Sequence, residues 1–381
     1  MRARSSRSLA TAASLFLANT VALSAGCGAD HASTSTSTSS TSGASTGSAG
    51  TGGAGSSSSA SSGGDAPSAG PDATVTPFDK AAMFFGGGTD KRNIDATAKF
   101  PEVGAYTSIT LHLALTCPAG GCDPWDRVGS LGVVREEGGT TTVIEIARFV
   151  TPYHVGAAWD FDVTDLRPLL TGEVKLRAFI DTWVGPDVGW QITTSFTMKG
   201  GVPAKLPVAV VPLWSSVSVP YGDPAKPIAA SAAPQMVKLP AGSAYALRAF
   251  ITGHGQGNAD NCAEFCKRDH TITTGKVAHK QTIWRDDCAT TAAPNQQGNF
   301  MYPRSGWCPG ADVHPWSFDV TADLAGSSEA TFAYDVAAYE NTCRPEAKPC
   351  TGCTLGTGCA YDNGAHTEPN YLLSTLLIAY R

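Results

Sequence analysis

Long amphipathic helices are missing from this chain. No extended stretch of its 381 residues repeats apolar side chains with a 3.6-residue period, which argues against a helical bundle. A basic run with interleaved aromatics is missing too. Net charge is −6 and the pI is near 5.7, so no nucleic acid is expected as a partner. The eight histidines are scattered, with none adjacent or two apart, so no local histidine pair of the kind that ligates copper is present. After the N-terminal segment no apolar stretch reaches membrane-spanning length. Large apolar residues are almost absent from residue 28 to about residue 72, where Ser, Thr, Gly and Ala dominate. Such a segment cannot bury enough apolar surface to offset the entropy of ordering it. It is expected to be a flexible tether of ~45 residues with an end-to-end distance of about 35–40 Å.

What precedes the tether is a targeting segment. Arg2, Arg4 and Arg7 form a basic start, Leu9–Leu23 is mostly apolar and small, and Ser24-Ala25-Gly26-Cys27 reads as a signal-peptidase site. A cysteine directly after Ala-Gly resembles a bacterial lipoprotein box, which makes Cys27 the expected lipidation site. Ordinary secretory cleavage nearby is the alternative. Gly28, rather than aspartate, follows the cysteine, which points to the outer membrane. The chain is therefore expected to be exported, as an outer-membrane lipoprotein or a secreted protein, touching a membrane only through its lipid anchor. Eleven cysteines in an exported chain indicate oxidised pairs, and no other cysteine occurs between Cys27 and Cys117.

About 305 residues remain beyond the tether, more than one core usually serves, so two domains are expected. Tyr106–Thr116, Glu173–Trp183 and Tyr245–Thr252 alternate apolar and polar residues as half-buried strands do, and Phe332–Tyr339 and Leu372–Tyr380 are further β-rich runs. Asp165–Leu170 fits one helical turn. Short strands separated by Gly, Pro, Asp and Asn clusters are the pattern of an all-β antiparallel sandwich. Pattern alone does not separate jelly-roll from immunoglobulin-like topology. Gly200–Pro207 breaks the pattern and marks the expected junction. The resulting division is 1–27 for the signal segment and lipobox, 28–75 for the tether, 76–203 for one domain and 204–381 for the other. The second carries a Cys-rich insertion at 341–365.

Three short islands carry most of the chemistry. They are Cys117–Arg127 (CPAGGCDPWDR), Arg148–Gly156 (RFVTPYHVG) and Cys262–Cys266 (CAEFC). A disulfide closing so few residues gains little from unfolded-chain entropy. Such a loop more plausibly aims a side chain, here Asp126 with Arg127, and Glu264.

These islands resemble the peptide-N-glycosidase F family, bacterial amidases that release N-linked glycans. The matching stretches are CDPWDR, ARFVTPYHVG, FDVTDLRPLLTGEVKLRAFIDTWVG, NCAEFCKRDHTI and RSGWCPG, in the family's order, within about Pro77 to Arg381. The resemblance implies two eight-stranded jelly rolls packed side by side. It implies the disulfides Cys117–Cys122, Cys262–Cys266 and Cys288–Cys308. Cys343, Cys350, Cys353 and Cys359 are then left, with three connectivities open to them. Zinc is the alternative there, since Cys350-Thr-Gly-Cys353 has ligand spacing.

The implied activity is hydrolysis of the amide between asparagine and the first N-acetylglucosamine. N-linked glycoproteins or glycopeptides are the expected partners, the protein is expected to be a monomer, and neither cofactor nor metal is required. Carboxylates in different environments can divide the acid and base roles, because burial and neighbours separate their pKa values. Asp126 aligns with the family's primary catalytic aspartate, Glu264 with a second active-site glutamate, and Asp181 with a third carboxylate. Trp125, Arg127, Trp183, His254, Arg304 and Trp307 are the candidate substrate-binding residues. Arg127 is expected to hold Asp126 ionised or to bond substrate. Trp183, Arg304 and Trp307 fall on positions lining the family's cleft, where aromatic faces stack on sugars and arginine donates to oxygens.

Each residue also has a plain structural reading: an ion pair on a turn for Asp126, a solvated loop residue for Glu264, an ordinary strand carboxylate for Asp181, core or surface roles for the rest. The chain departs from the family at three places. Asp181 stands where the best-known member has glutamate, retracting the charge by about one methylene, and ~1 Å of misplacement can cost ~10²-fold in rate. Phe265 replaces a common tryptophan. Gly253-His254-Gly255-Gln256 replaces a Gly-Trp-Gly-His pattern. Two other functions compete: a non-catalytic glycan- or glycoprotein-binding lipoprotein on the same scaffold, and a copper monooxygenase of the peptidylglycine hydroxylase type.

Overall fold

Alternation in the sequence becomes alternation in burial. Along Tyr106–Thr116 the side chains of Ile109, Leu111, Leu113 and Leu115 are buried, and those between them face outward. A computed structural model describes residues 67–256, 262–344 and 367–381. The signal segment with Cys27, the tether up to residue 66, and Cys350, Cys353 and Cys359 of the insertion lie outside the described residues.

The first half contains β1 (Ala73–Met83), β2 (Phe85–Gly86), β3 (Thr89–Asp90), β4 (Asn93–Phe100), β5 (Tyr106–Thr116), β6 (Val128–Glu137), β7 (Thr140–Val150), β8 (Ala157–Asp162), β9 (Gly172–Ile180) and β10 (Trp190–Gly200). The second contains β11 (Pro207–Pro220), β12 (Gln235–Lys238), β13 (Ala244–Gln256), β14 (Asp269–Thr274), β15 (Val277–Thr282), β16 (Trp316–Asp319), β17 (Glu329–Val336) and β18 (Thr367–Tyr380). The expected helical turn is a 3₁₀ helix at Thr164–Leu169. β10 ends at Gly200 and β11 begins at Pro207. β1 begins at Ala73, so the expected end of the tether at residue 75 falls inside a strand.

Four-stranded antiparallel sheets run β1-β10-β5-β8 and β4-β9-β6-β7 in the first half, and β11-β18-β13-β16 and β12-β17-β14-β15 in the second. With the two-residue strands β2 and β3 set aside, the connectivity is the same in both. The first strand pairs with the last, the last with the third and the third with the sixth, which is jelly-roll topology. The sheet order thus decides between the two topologies that the alternating pattern left open. The disulfides Cys117–Cys122, Cys262–Cys266 and Cys288–Cys308 are formed as expected. Cys343 is also disulfide-bonded.

Each half has its own apolar core, and β18 serves both. Its odd-numbered Tyr371, Leu373 and Leu377 lie in the second core, while the even-numbered Leu376, Ile378 and Tyr380 lie in the first. That is why the stretch carries apolar residues on both of its faces. A buried ion pair joins the halves beside it. Arg148 on β7 donates to both oxygens of Glu145 at 2.7 Å, to the Leu372 carbonyl at 2.6 Å and to Thr252 Oγ1 at 3.0 Å. Ser374 Oγ and Ser216 Oγ donate to Glu145 Oε2 at 2.5 and 3.3 Å. Truncating either charge leaves the other buried and uncompensated, at a cost of roughly 3–5 kcal/mol.

Candidate active site

Asp126 sits on a clamped turn between the Cys117–Cys122 loop and β6. The clamp is Asp123, which is completely buried. Its carboxylate accepts from the Trp125 amide at 3.0 Å, Arg127 Nε at 3.0 Å and the Thr182 hydroxyl at 2.7 Å. Thr151, just past β7, bonds the same turn: its hydroxyl accepts from the Arg127 amide at 2.8 Å and donates to the Trp125 carbonyl at 3.2 Å. The disulfide and these bonds aim the Asp126 side chain away from the loop, toward the second half. There the Tyr153 hydroxyl donates to Asp126 Oδ2 at 2.7 Å, and Arg304 Nη2 stands 3.9 Å from the same oxygen.

Glu264 comes from the other side. Its amide donates to the Gly255 carbonyl at 3.0 Å, and its carbonyl accepts from Ser305 at 2.8 Å. Arg304 Nε donates to Glu264 Oε1 at 3.0 Å. The Arg304 guanidinium is buried, with its carbon 5.0 Å from the Phe265 ring centre and 4.8 Å from that of Trp307. One buried arginine therefore bridges two carboxylates supplied by different sandwiches.

Burial raises both carboxyls. For Glu264 desolvation outweighs Arg304 and the negative neighbour Asp126 adds to it, bringing the pKa to about 7. Burial also lifts Asp126, opposed by the Tyr153 hydrogen bond and by Arg304. Tyr153 is pushed up by burial and by Asp126, so it stays protonated as a donor. Two neighbouring carboxyls in unequal environments can divide acid and base roles. Among the described residues no three His, Cys, Asp or Glu side chains gather into a metal site.

The other expected residues are distributed unevenly. Arg127 forms its ion pair with Asp123 at 3.0 Å and acts on Asp126 only as a nearby charge, a smaller influence than Arg304, which stands 3.9 Å from the Asp126 carboxylate. Asp181 is half-exposed and lies 3.8 Å from Arg92, outside the group formed by Asp126, Glu264 and Arg304. The Arg92 guanidinium lies 4.6 and 4.1 Å from the ring centres of Phe85 and Trp183, which meet each other edge to face at 5.0 Å, and Trp183 is 52% exposed. Trp125 is exposed. Trp307 is buried: its indole N–H donates to the Gly253 carbonyl at 2.8 Å, and it supports Arg304 and His254 instead of presenting an open face. His254 is partly buried and stacks on Trp307 at 5.5 Å.

Family models described as Peptide-N-glycosidase F, N terminal and C terminal, match residues 132–196 and 228–352. The chain is 31% identical over 298 residues to a protein of Elizabethkingia miricola named Peptide-N(4)-(N-acetyl-beta-D-glucosaminyl)asparagine amidase F, covering 73% of this chain and 81% of the relative. The chain belongs to the peptide-N-glycosidase F family. The solved structure of PNGase F, a glycosylasparaginase from Flavobacterium meningosepticum, superposes with a TM-score of 0.68 at 27% identity, over 82% of this chain and 96% of that one. The structure of PNGF-II superposes with a TM-score of 0.60 at 19% identity, over 81% and 65% of the two chains, and speaks to the fold.

Two members of the site carried no expected role. Tyr153 lies in the island RFVTPYHVG, whose match to the peptide-N-glycosidase F family was the available signal. Asp123 is adjacent to Cys122 in the first island, where Asp126 is the carboxylate beside tryptophan.

Proposed function

We propose that this protein is a glycoamidase. It adds water across the amide between an asparagine side chain and the first N-acetylglucosamine of an N-linked glycan. The carbonyl carbon gains the hydroxyl, the C–N bond breaks, and the nitrogen leaves on the sugar as a glycosylamine, so asparagine becomes aspartate. The observation that carries this reading is Arg304 bridging Asp126 and Glu264 at the meeting of the two sandwiches. Asp126, held as the anion by Tyr153 and Arg304, takes a proton from the attacking water. Glu264, protonated up to about pH 7, supplies one to the departing nitrogen. Arg304 offsets charge developing on the carbonyl oxygen.

N-linked glycoproteins and glycopeptides are the substrates on this reading. The Glu-to-Asp change at Asp181 is the feature that favours a binding-only protein, but Asp181 pairs with Arg92 and touches neither carboxylate of the group, which supports turnover. Paired cysteines support export, with Cys27 as the lipid-bearing residue of the mature chain. Incubation of the purified protein with a denatured N-glycoprotein tests the activity. Mass spectrometry is expected to show glycan loss with a gain of ~1 Da at the former asparagine, the signature of amide hydrolysis. One N-acetylglucosamine left on an intact asparagine would mean a glycosidase and end this assignment.

A further inference from the structure

Thr252 is completely buried, and its hydroxyl has two partners. Arg148 Nη1 donates to Oγ1 at 3.0 Å, and His254 Nε2 lies 2.8 Å from the same oxygen. A guanidinium N–H can only donate. The single hydroxyl proton of Thr252 then goes to His254 Nε2, its one acceptor among the described residues. Nε2 is therefore unprotonated, and the neutral imidazole carries its proton on Nδ1. Arg148 cannot turn away to relax this, because its remaining donors are committed to Glu145, the Leu372 carbonyl and Ser374. The charged groups around the ring are Arg148 with Glu145 behind it, and Arg304 with Glu264 beyond Trp307. A proton on Nε2 would leave the Thr252 hydroxyl hydrogen without an acceptor among the described residues, and a ring protonated on both nitrogens would place a second cation beside Arg148. Burial and Arg148 together push the histidine down to about 3.

Nδ1 has no hydrogen-bond partner among the described residues, while the side chain keeps part of its surface open. The ring stacks on Trp307 at 5.5 Å and 25° between planes, and the Arg304 guanidinium lies 4.8 Å from the same indole. A neutral N–H donor thus stands one ring away from the arginine that bridges the two carboxylates.

We propose that His254 determines specificity by offering this fixed Nδ1–H to a carbonyl oxygen of the substrate, with Thr252 and Arg148 as the positioning residues that hold the tautomer. The inference rests on the glycoamidase reading. The carbonyl belongs either to the acetamido group of the first sugar or to the peptide beside the asparagine.

Imidazole ¹⁵N NMR of the intact protein reads the tautomer without substrate. The expected spectrum is one neutral Nδ1–H form that does not titrate between about pH 5 and pH 9. Thr252→Val removes the donor to Nε2 and is expected to give a mixture of tautomers. In kinetics, His254→Phe keeps the stack and loses the donor. KM is expected to rise about fivefold, what one neutral hydrogen bond contributes, with less effect on kcat. His254→Asn restores an N–H near the Nδ1 position and is expected to recover most of that loss. Glycopeptides with glucose in place of N-acetylglucosamine separate the two sources. The Phe penalty vanishes on them if the acceptor is the acetamido carbonyl and persists if it is a peptide carbonyl. An Nε2–H or charged imidazole at neutral pH overturns the proposal, as does a Phe variant whose KM stays within about twofold of the parent on N-acetylglucosamine substrates. A parent protein that cleaves no glycopeptide removes the functional reading and the substrate half of this one, and NMR still decides the tautomer.

Discussion

Replacing Glu264 by glutamine tests the buried proton directly. Glutamine is nearly isosteric and keeps an oxygen that can accept from Arg304 Nε, so packing is preserved. The folded carboxyl titrates at about 7, against 4.5 for the free group. That gap corresponds to about 3 kcal/mol. Its sign follows from proton binding: between 4.5 and about 7 the folded state binds the proton more tightly than the unfolded one. The contribution to stability is complete below pH 4.5 and is lost as pH rises through about 7. The glutamine variant lacks this dependence. Denaturation of parent and variant, with disulfides intact, is measured from about pH 5 to about pH 8.5. The two should be close in acid and diverge by up to about 3 kcal/mol in alkali, the variant being the more stable. At roughly 2–4 °C per kcal/mol for domains of 150–250 residues, the melting temperatures separate by about 6–12 °C. The same substitution removes the proton donor, so turnover is expected to fall by at least ~10²-fold at neutral pH. Parallel stability profiles across this range would mean that Glu264 is ionised throughout in the folded protein. It could not then donate a proton to the leaving nitrogen, and the acid–base assignment would fail.

Asp126→Asn should leave the fold intact by circular dichroism and reduce turnover below about a tenth of the parent rate; a larger residue of activity would remove Asp126 from the chemistry. Tyr153→Phe deletes the donor that favours the Asp126 anion, so the acid limb of the kcat/KM profile should move to higher pH, and an unmoved limb would show that the hydroxyl does not tune Asp126. Asp181→Asn disturbs only a half-exposed pair with Arg92, whose worth is about 1 kcal/mol or less, so a loss under about fivefold is expected and one of ~10²-fold would place Asp181 in the reaction. Labelled palmitate should enter the membrane-associated parent and not Cys27→Ser; a mature chain that starts elsewhere without lipid would leave a secreted protein.

The strands were legible because their signal is local. Tyr106–Thr116 alternates cleanly, and its expected bounds match β5, since one sheet face meets a core and the other does not. The alternating pattern of Glu173–Trp183 outruns its strand: β9 stops at Ile180, where Asp181 and Thr182 turn to bond Val128 and Asp123. Leu372–Tyr380 was recognised as β-rich, but its burial on both faces depends on which core each face meets, and that is a tertiary fact. The site was legible where a disulfide loop aims a carboxylate, as at Asp126 and Glu264. It was not legible at Arg127, because an arginine next to an aspartate in sequence need not face it. The turn points Arg127 back to Asp123, and the cation in ion-pair range of Asp126 is Arg304, 178 positions later. Tyr153 and Asp123 have no local signature of their own, being defined by partners that folding brings to them.

The location of the arginine explains why two sandwiches are needed for one site. A lone carboxyl buried deeply enough to keep a proton at neutral pH is easily supplied by one sheet edge, but a neighbouring carboxylate kept ionised at similar depth requires a cation buried with it. Arg304 satisfies that requirement from the second half, with its guanidinium flanked by Phe265 and Trp307 and its backbone paired with Arg285 at 2.8 and 3.0 Å. Asp126 meets it across the two halves, which are joined by β18, buried on both faces, and by the Glu145–Arg148 pair. Small rotations between the sandwiches would lengthen the 3.9 Å contact from Arg304 to Asp126 while leaving the 3.0 Å bond to Glu264 unchanged. Such a rotation would withdraw a cation from Asp126, raise its pKa and leave less of it ionised at neutral pH, while Glu264 keeps its arginine; on the proposed acid–base reading, the buried apparatus between the halves then serves the chemistry as well as the fold.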